Sequence, residues 1–284
     1  MPIDSPLVMA YFVFVASVLG LCMGSFLNCL AWRMTHGESV LHGRSHCTSC
    51  GHVLGARDLV PVFSWLFTRG TCRYCGERVS ARYPAIELLC AVVYASILLR
   101  YGIGVQALEL MAFASVLLVL SLTDLDDYVI PNATIVAAVC MRLLYLVYCW
   151  ATGSGVLLAL VGGSIASGLV VAVPRIALVL IMDRVLGKES FGGGDIKLRF
   201  VAGMYFGWRQ CLFLVLVACV LGIAFGVLGH SGRSKQQGAA GMQEDGQIAD
   251  AHLIPFGPSI AVACWITMLV GQYVLDWYAG LFIL

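Results

Sequence analysis

Apolar positions along this chain gather into long unbroken runs, rather than alternating as in a half-buried strand or recurring every three to four residues as in an amphipathic helix. The runs cover 7–31, 84–99, 105–122, 130–150 and 155–182; two more lie between 200 and 228, parted by Gly207-Trp208-Arg209-Gln210, and the last covers 255–284. Several approach the ~20 residues that a helix needs to cross a bilayer. The pattern predicts an all-α polytopic membrane protein with about eight membrane segments. The first piece after Phe200 is short enough to be a tilted or half-span helix. Between the first two runs lies a polar segment of about 50 residues, and a Gly/Gln-rich stretch at 230–254 reads as a flexible loop before the last helix at 255–284.

Composition agrees with the pattern. Hydrophobic residues make up 60% of the chain and charged ones 12%, about half the charge of an ordinary soluble domain. The run at 7–31 is too long for a cleaved leader and lacks a basic start, so a retained first helix with its N-terminus outside is expected. Threaded from there, 13 of the 17 basic residues fall on the inner side, among them the seven arginines between Arg33 and Arg82. The polar segment is therefore expected in the cytoplasm. A net charge of +1 gives no signal for nucleic acid, and none is expected as a partner.

Four of the twelve cysteines form paired units, Cys47-Thr48-Ser49-Cys50 and Cys72-Arg73-Tyr74-Cys75, each followed by glycine. Two such knuckles supply four thiolates to one tetrahedral zinc. A cytosolic setting argues against disulfides. A zinc knuckle between the first two helices is expected, because the segment has too few apolar residues to fold on a core of its own.

Two acids stand at the ends of runs. Asp124 closes the third, within Asp124-Leu125-Asp126-Asp127, and Asp195 follows Gly192, Gly193 and Gly194 at the start of another. Ionisable groups at a membrane boundary are costly unless paired or at work. Two carboxylates brought together share one proton and can activate water against a peptide carbonyl. The glycines would let an extended substrate backbone approach. Helical spacing puts Asp124 and Asp127 on one face, so it leaves open which of them meets Asp195. Asp195 could equally act as a helix N-cap.

The strings Gly24-Ser25-Phe26-Leu27-Asn28, Arg44-Ser45-His46-Cys47, Pro61-Val62-Phe63-Ser64-Trp65-Leu66, Arg69-Gly70-Thr71-Cys72 and Ser80-Ala81-Arg82-Tyr83-Pro84 resemble the N-terminal half of type IV prepilin peptidases. Thr123-Asp124-Leu125-Asp126 through Ile130-Pro131-Asn132, then Phe191 to Leu198, then Pro255-Phe256-Gly257-Pro258, resemble the second half. The resemblance runs from about Gly20 to Ala263. It implies cleavage of the basic leader of prepilins or pseudopilins after a glycine, at the cytoplasmic face of the bacterial inner membrane. It also implies Asp124 and Asp195 as the catalytic pair, and methylation of the new N-terminus with S-adenosylmethionine, for which Glu38 and Gly70 are candidates. Residues 1–102 would then hold the methyl-transfer part and 105–229 the peptidase core. Where the family often has Arg-Leu-Pro, this chain reads Arg33-Met34-Thr35. Two readings of another class are a zinc-binding membrane scaffold without chemistry and a proton-coupled transporter.

Overall fold

The structure is a computed structural model that describes residues 6–40, 42–186, 193–237 and 256–281. Eight helices make up its elements: α1 (Pro6–Thr35), α2 (Phe63–Phe67), α3 (Arg82–Tyr101), α4 (Val105–Asp127), α5 (Asn132–Ala151), α6 (Leu157–Leu186), α7 (Gly193–Gln237) and α8 (Gly257–Gly280). All but the short α2 are long and apolar enough to cross a membrane. The protein is a multi-pass membrane protein, and the expected helical architecture holds.

Helix α7 is not continuous: it is broken at Gly207, whose φ of 72° only glycine adopts without strain. Asp195 begins this helix beside the start of α8. Gln210 then hydrogen-bonds Gln272, well along α8, and Gly222 packs against Phe256 back at the α8 start. The chain thus runs out and returns. The outgoing arm, about 13 residues long, rises roughly 20 Å, short of a ~30 Å hydrocarbon core. Helix α7 continues to Gln237, so residues 230–237 of the stretch expected as a loop are helical; residues 238–254 lie outside those described.

Helix α4 is the most enclosed span, burying Phe113, Leu117, Val119 and Leu120. Helices α1, α3, α5 and α8 pack around it, while α6 packs on α7, and small residues mark the α1–α3 and α6–α7 crossings, as in other helices in lipid. Gly20 and Gly24 of α1 lie on α3, where an added Cβ would come within 2.6 Å of Ala91 Cα and 2.7 Å of Glu87 Cα. Gly168 of α6 faces Gly203 of α7 in the same manner, at 2.7 Å. Within the bundle Glu109 pairs with Arg142 at 2.9 Å, both side chains being mostly buried. Large apolar side chains elsewhere, among them Leu88, Leu89 and Val92 of α3, point outward, as a lipid-facing belt requires.

The end of α1, the start of α3, the end of α4 and the starts of α5, α7 and α8 lie at one end of the bundle, with the cysteine segment. A two-pronged ion pair from Arg82 to Asp126, one arm 2.9 Å long, clamps the start of α3 to the end of α4 there.

Candidate active site

Asp124 lies in the last turn of α4 and is only 7% exposed, whereas Asp127 is exposed and Asp126 is held by Arg82. Burial separates what helical spacing could not. The helix stops because Tyr128 turns left-handed (φ 56°) and returns its N–H to the Asp124 carbonyl. Pro131 then disfavours helical geometry at Ile130.

The Asp124 side chain points at the N-terminus of α8. Gly257 opens that helix, so its N–H has no intrahelical partner, and it donates to Asp124 Oδ2 at 2.7 Å. Helix N-termini favour anions. The approach requires glycine: a Cβ at 257 would stand 2.7 Å from Oδ2 and 3.0 Å from the Asp124 Cγ.

Asp195 reaches the same place from the first turn of α7. The helix begins at Gly193, so Asp195 lies inside the turn rather than at the cap. Its Oδ2 accepts Arg199 Nε at 3.2 Å and lies 3.6 Å from an Arg175 nitrogen of α6. Its Oδ1 is buried with no hydrogen-bond partner among the described residues. Asp195 is close enough for its charge to act on Asp124. The surroundings of the two acids differ, since Asp195 faces two guanidinium charges and Asp124 faces one uncharged donor. Gly194 sits against Ile130 with no room for a Cβ (2.9 Å), and Lys197 reaches Asn132 Oδ1 of α5 at 2.7 Å. Packing therefore accounts for Gly194, while Gly192 lies outside the described residues.

The four cysteines between α1 and α3 also converge. The sulfurs of Cys47, Cys50, Cys72 and Cys75 all lie within 4.8 Å of one another, and those of Cys47 and Cys75 are 3.9 Å apart. Zinc–sulfur bonds in a tetrahedron place sulfurs about 3.8 Å apart, so the cluster fits one structural zinc. The knuckles repeat each other: Cys47 N–H bonds the His52 carbonyl as Cys72 N–H bonds that of Glu77, and Gly51 and Gly76 turn each with positive φ. Backbone donors at Cys50 and then Ser49 bring the Cys47 thiol down to about 6. At Cys75 the Glu77 backbone favours the thiolate, but burial and the neighbouring sulfurs outweigh it and push the thiol up to about 12. Four thiolates need a cation between them.

Of the methyl-transfer candidates, Glu38 faces His46 at 3.7 Å, beside the stacked rings of Trp32 and His36. Gly70 has a positive φ of 70° and lies under Trp65, whose ring would be 2.8 Å from an added Cβ. Glu38 and Gly70 thus belong to the same polar segment, and Gly70 has a packing reason to be glycine. Reading the sequence alone did not single out Gly257, Arg175 or Arg199. The Pro255-Phe256-Gly257-Pro258 string was the available signal for Gly257. An arginine inside an apolar run was the signal for Arg175.

The family model described as the bacterial peptidase A24 N-terminal domain matches residues 18–101, and that of the type IV leader peptidase family matches residues 111–227. The chain is similar to the prepilin leader peptidase/N-methyltransferase of Pseudomonas putida, 33% identical over 93% of this chain and 92% of that one. Proteins of the same name from Myxococcus xanthus (32% identical, 77% of this chain and 62% of that one) and Bacillus subtilis (27%, 92% and 95%) also match. No solved structure matches. A membrane-spanning chain with two converging aspartates, matched at this level over nearly its whole length, belongs to the type IV leader peptidase family.

Proposed function

We propose that this protein cleaves the basic leader of type IV prepilins or pseudopilins after a glycine, at the cytoplasmic face of the inner membrane. The observation that carries this reading is the meeting of Asp124 and Asp195 at one end of the bundle, each carboxylate held by its own donors. A prepilin is a membrane helix with a basic leader, so its cleavage junction would stand where these helices end.

Asp195 stands beside two guanidiniums, and its Oδ1, without a partner among the described residues, is the oxygen proposed to take a proton from water. Asp124, buried and facing only a neutral donor, carries the proton that the pair shares and hydrogen-bonds the scissile carbonyl. Water adds to that carbonyl as its proton passes to Asp195 and the Asp124 proton passes to the carbonyl oxygen. Collapse of the tetrahedral diol breaks the C–N bond, the leaving nitrogen takes the Asp195 proton, and Asp124 recovers its own. In the proposed second reaction the new N-terminal amine is methylated, with S-adenosylmethionine as donor and Glu38 as the candidate acid near that amine.

Two substitutions probe the supports. Gly257→Ala should displace the Asp124 carboxylate and lower cleavage about 100-fold, the cost of a misplacement near 1 Å, while Gly162→Ala, at a position with open space around it, should not. An unchanged rate in Gly257→Ala would remove Gly257 from the mechanism. Arg199→Leu should slow cleavage about 10- to 100-fold, as loss of a charged hydrogen bond implies, and Arg199→Lys should recover part of it. Equal rates in Leu and Lys variants would mean that the charge at 199 does not matter.

The experiment for the function itself is incubation of the full-length protein in lipid with a full-length prepilin, the products being read by mass. A mature pilin starting just after the glycine supports the reading, and a product one methylene heavier when S-adenosylmethionine is added supports methyl transfer. An intact prepilin would overturn the first, and an unchanged product mass the second.

A further inference from the structure

Just before and within α2, the chain exposes a run of large apolar side chains left largely uncovered by the described residues: Leu59 and Val60 (43% and 44% exposed), Phe63 (55%), Leu66 (56%) and Phe67 (83%). Scattered exposed apolar residues need no explanation, but five within nine positions of a polar segment do. Trp65 of the same helix turns the other way, lies over Gly70 and donates its ring N–H to the Val79 carbonyl at 3.0 Å. The helix therefore has an inner side fixed to the knuckle and an outer side left bare.

One hydrogen bond fixes the depth of this face. The Val62 N–H donates to Glu87 Oε2 at 2.7 Å, and Glu87 is a buried residue of the membrane span α3. Helical side chains lean toward the N-terminus of their helix, so the Glu87 carboxylate lies near the first turn of α3, at the boundary of the span. Val62 accordingly has a positive φ of 60°, unusual for a β-branched residue, and is held at the level where the lipid-facing belt of Leu88, Leu89 and Val92 begins. Arg57, together with Arg73, which also pairs with Asp58 at 3.3 Å, lines a shallow hollow with Val60, Phe63 and Phe67. Apolar residues bordered by guanidiniums suit the boundary between anionic headgroups and acyl chains.

We infer that the face formed by Leu59, Val60, Phe63, Leu66 and Phe67 is embedded in the bilayer surface beside α3, so that the four-cysteine segment lies against the membrane instead of projecting from it. The occupant is lipid because the face continues an existing lipid-facing surface and carries the complementary charge. The consequence is that the knuckle is held on the membrane at the end of the bundle where Asp124 and Asp195 meet. The inference does not depend on what those aspartates cleave.

The test places benzoylphenylalanine at position 67, and separately at 63, in the full-length protein. Each labelled protein that elutes like the parent is put in nanodiscs of phosphatidylglycerol and phosphatidylethanolamine and irradiated. The expected main adduct carries the mass of one phospholipid, in greater yield than in phosphatidylcholine discs, and persists when prepilin is added. No adduct from either position, a cross-link to a second copy, or one that forms only to prepilin would overturn the inference.

Discussion

Cys72→Ser, or removal of metal with a chelator, is expected to unfold the segment between α1 and α3 while the membrane helices stay in place. Cys72 is the most buried of the four ligand candidates. Among its described residues the segment around it has little regular structure: the short helix α2, two isolated bridges, a few turns and hydrogen bonds. In segments of this kind metal binding supplies the folding energy, about 10–16 kcal/mol for structural zinc at neutral pH, more than any other interaction here can offer. Backbone donors at Cys50 and Ser49 hold the Cys47 thiol down while burial and the neighbouring sulfurs push that of Cys75 up, so the four do not become thiolates together without a cation. Because protons compete for the same sulfurs, acidification should release the metal too. The check is zinc content by mass spectrometry alongside limited proteolysis at Arg69 and Arg73 in the membrane-embedded protein. A parent protein with no bound zinc that resists protease as well as before chelation would remove the metal from this account.

Asp124→Asn and Asp195→Asn should each lower prepilin cleavage by about 1,000-fold or more, near the upper part of what general acid–base groups contribute. The exchange of carboxylate for amide keeps shape and loses the proton chemistry. At 195 it leaves Arg175 and Arg199 facing a neutral group, which also weakens the tie between α6 and α7. At 124 the amide oxygen can still accept the Gly257 N–H, so the fold should change less. Both variants are expected in the membrane at parental levels. Asp126→Asn serves as the contrast, because Asp126 is engaged by Arg82 on the outer side of the helix, and it should cut at close to the normal rate.

The fold was largely legible because its dominant signal is local. A run of apolar residues long enough to cross a bilayer can do little else, and the break at Gly207 was visible from Gly207-Trp208-Arg209-Gln210 between two runs. The cysteine cluster was legible for the same reason, since each knuckle is built within six residues. The candidate active site was only half legible. Composition and spacing pointed to Asp124 and Asp195 but could not separate Asp124 from Asp127, because what distinguishes them is burial against α8, more than 130 residues away. The same holds for Arg175 and Arg199: in sequence they are one arginine within a run and one just ahead of the next. Their meeting at Asp195 depends on how α6 crosses α7 at Gly168 and Gly203. Glu109, an acid inside the run at 105–122, is paired with Arg142, a contact between two helices that the sequence does not display.

The central claim is that Asp124 and Asp195 work as one unit, and groups that act as a unit give losses that do not add. The most direct measurement compares prepilin cleavage rates of the parent, Asp124→Asn, Asp195→Asn and the double variant in one nanodisc preparation. Both single variants should fall to the same floor as the double. A single variant that still cuts prepilin at a rate close to the parent's would contradict it.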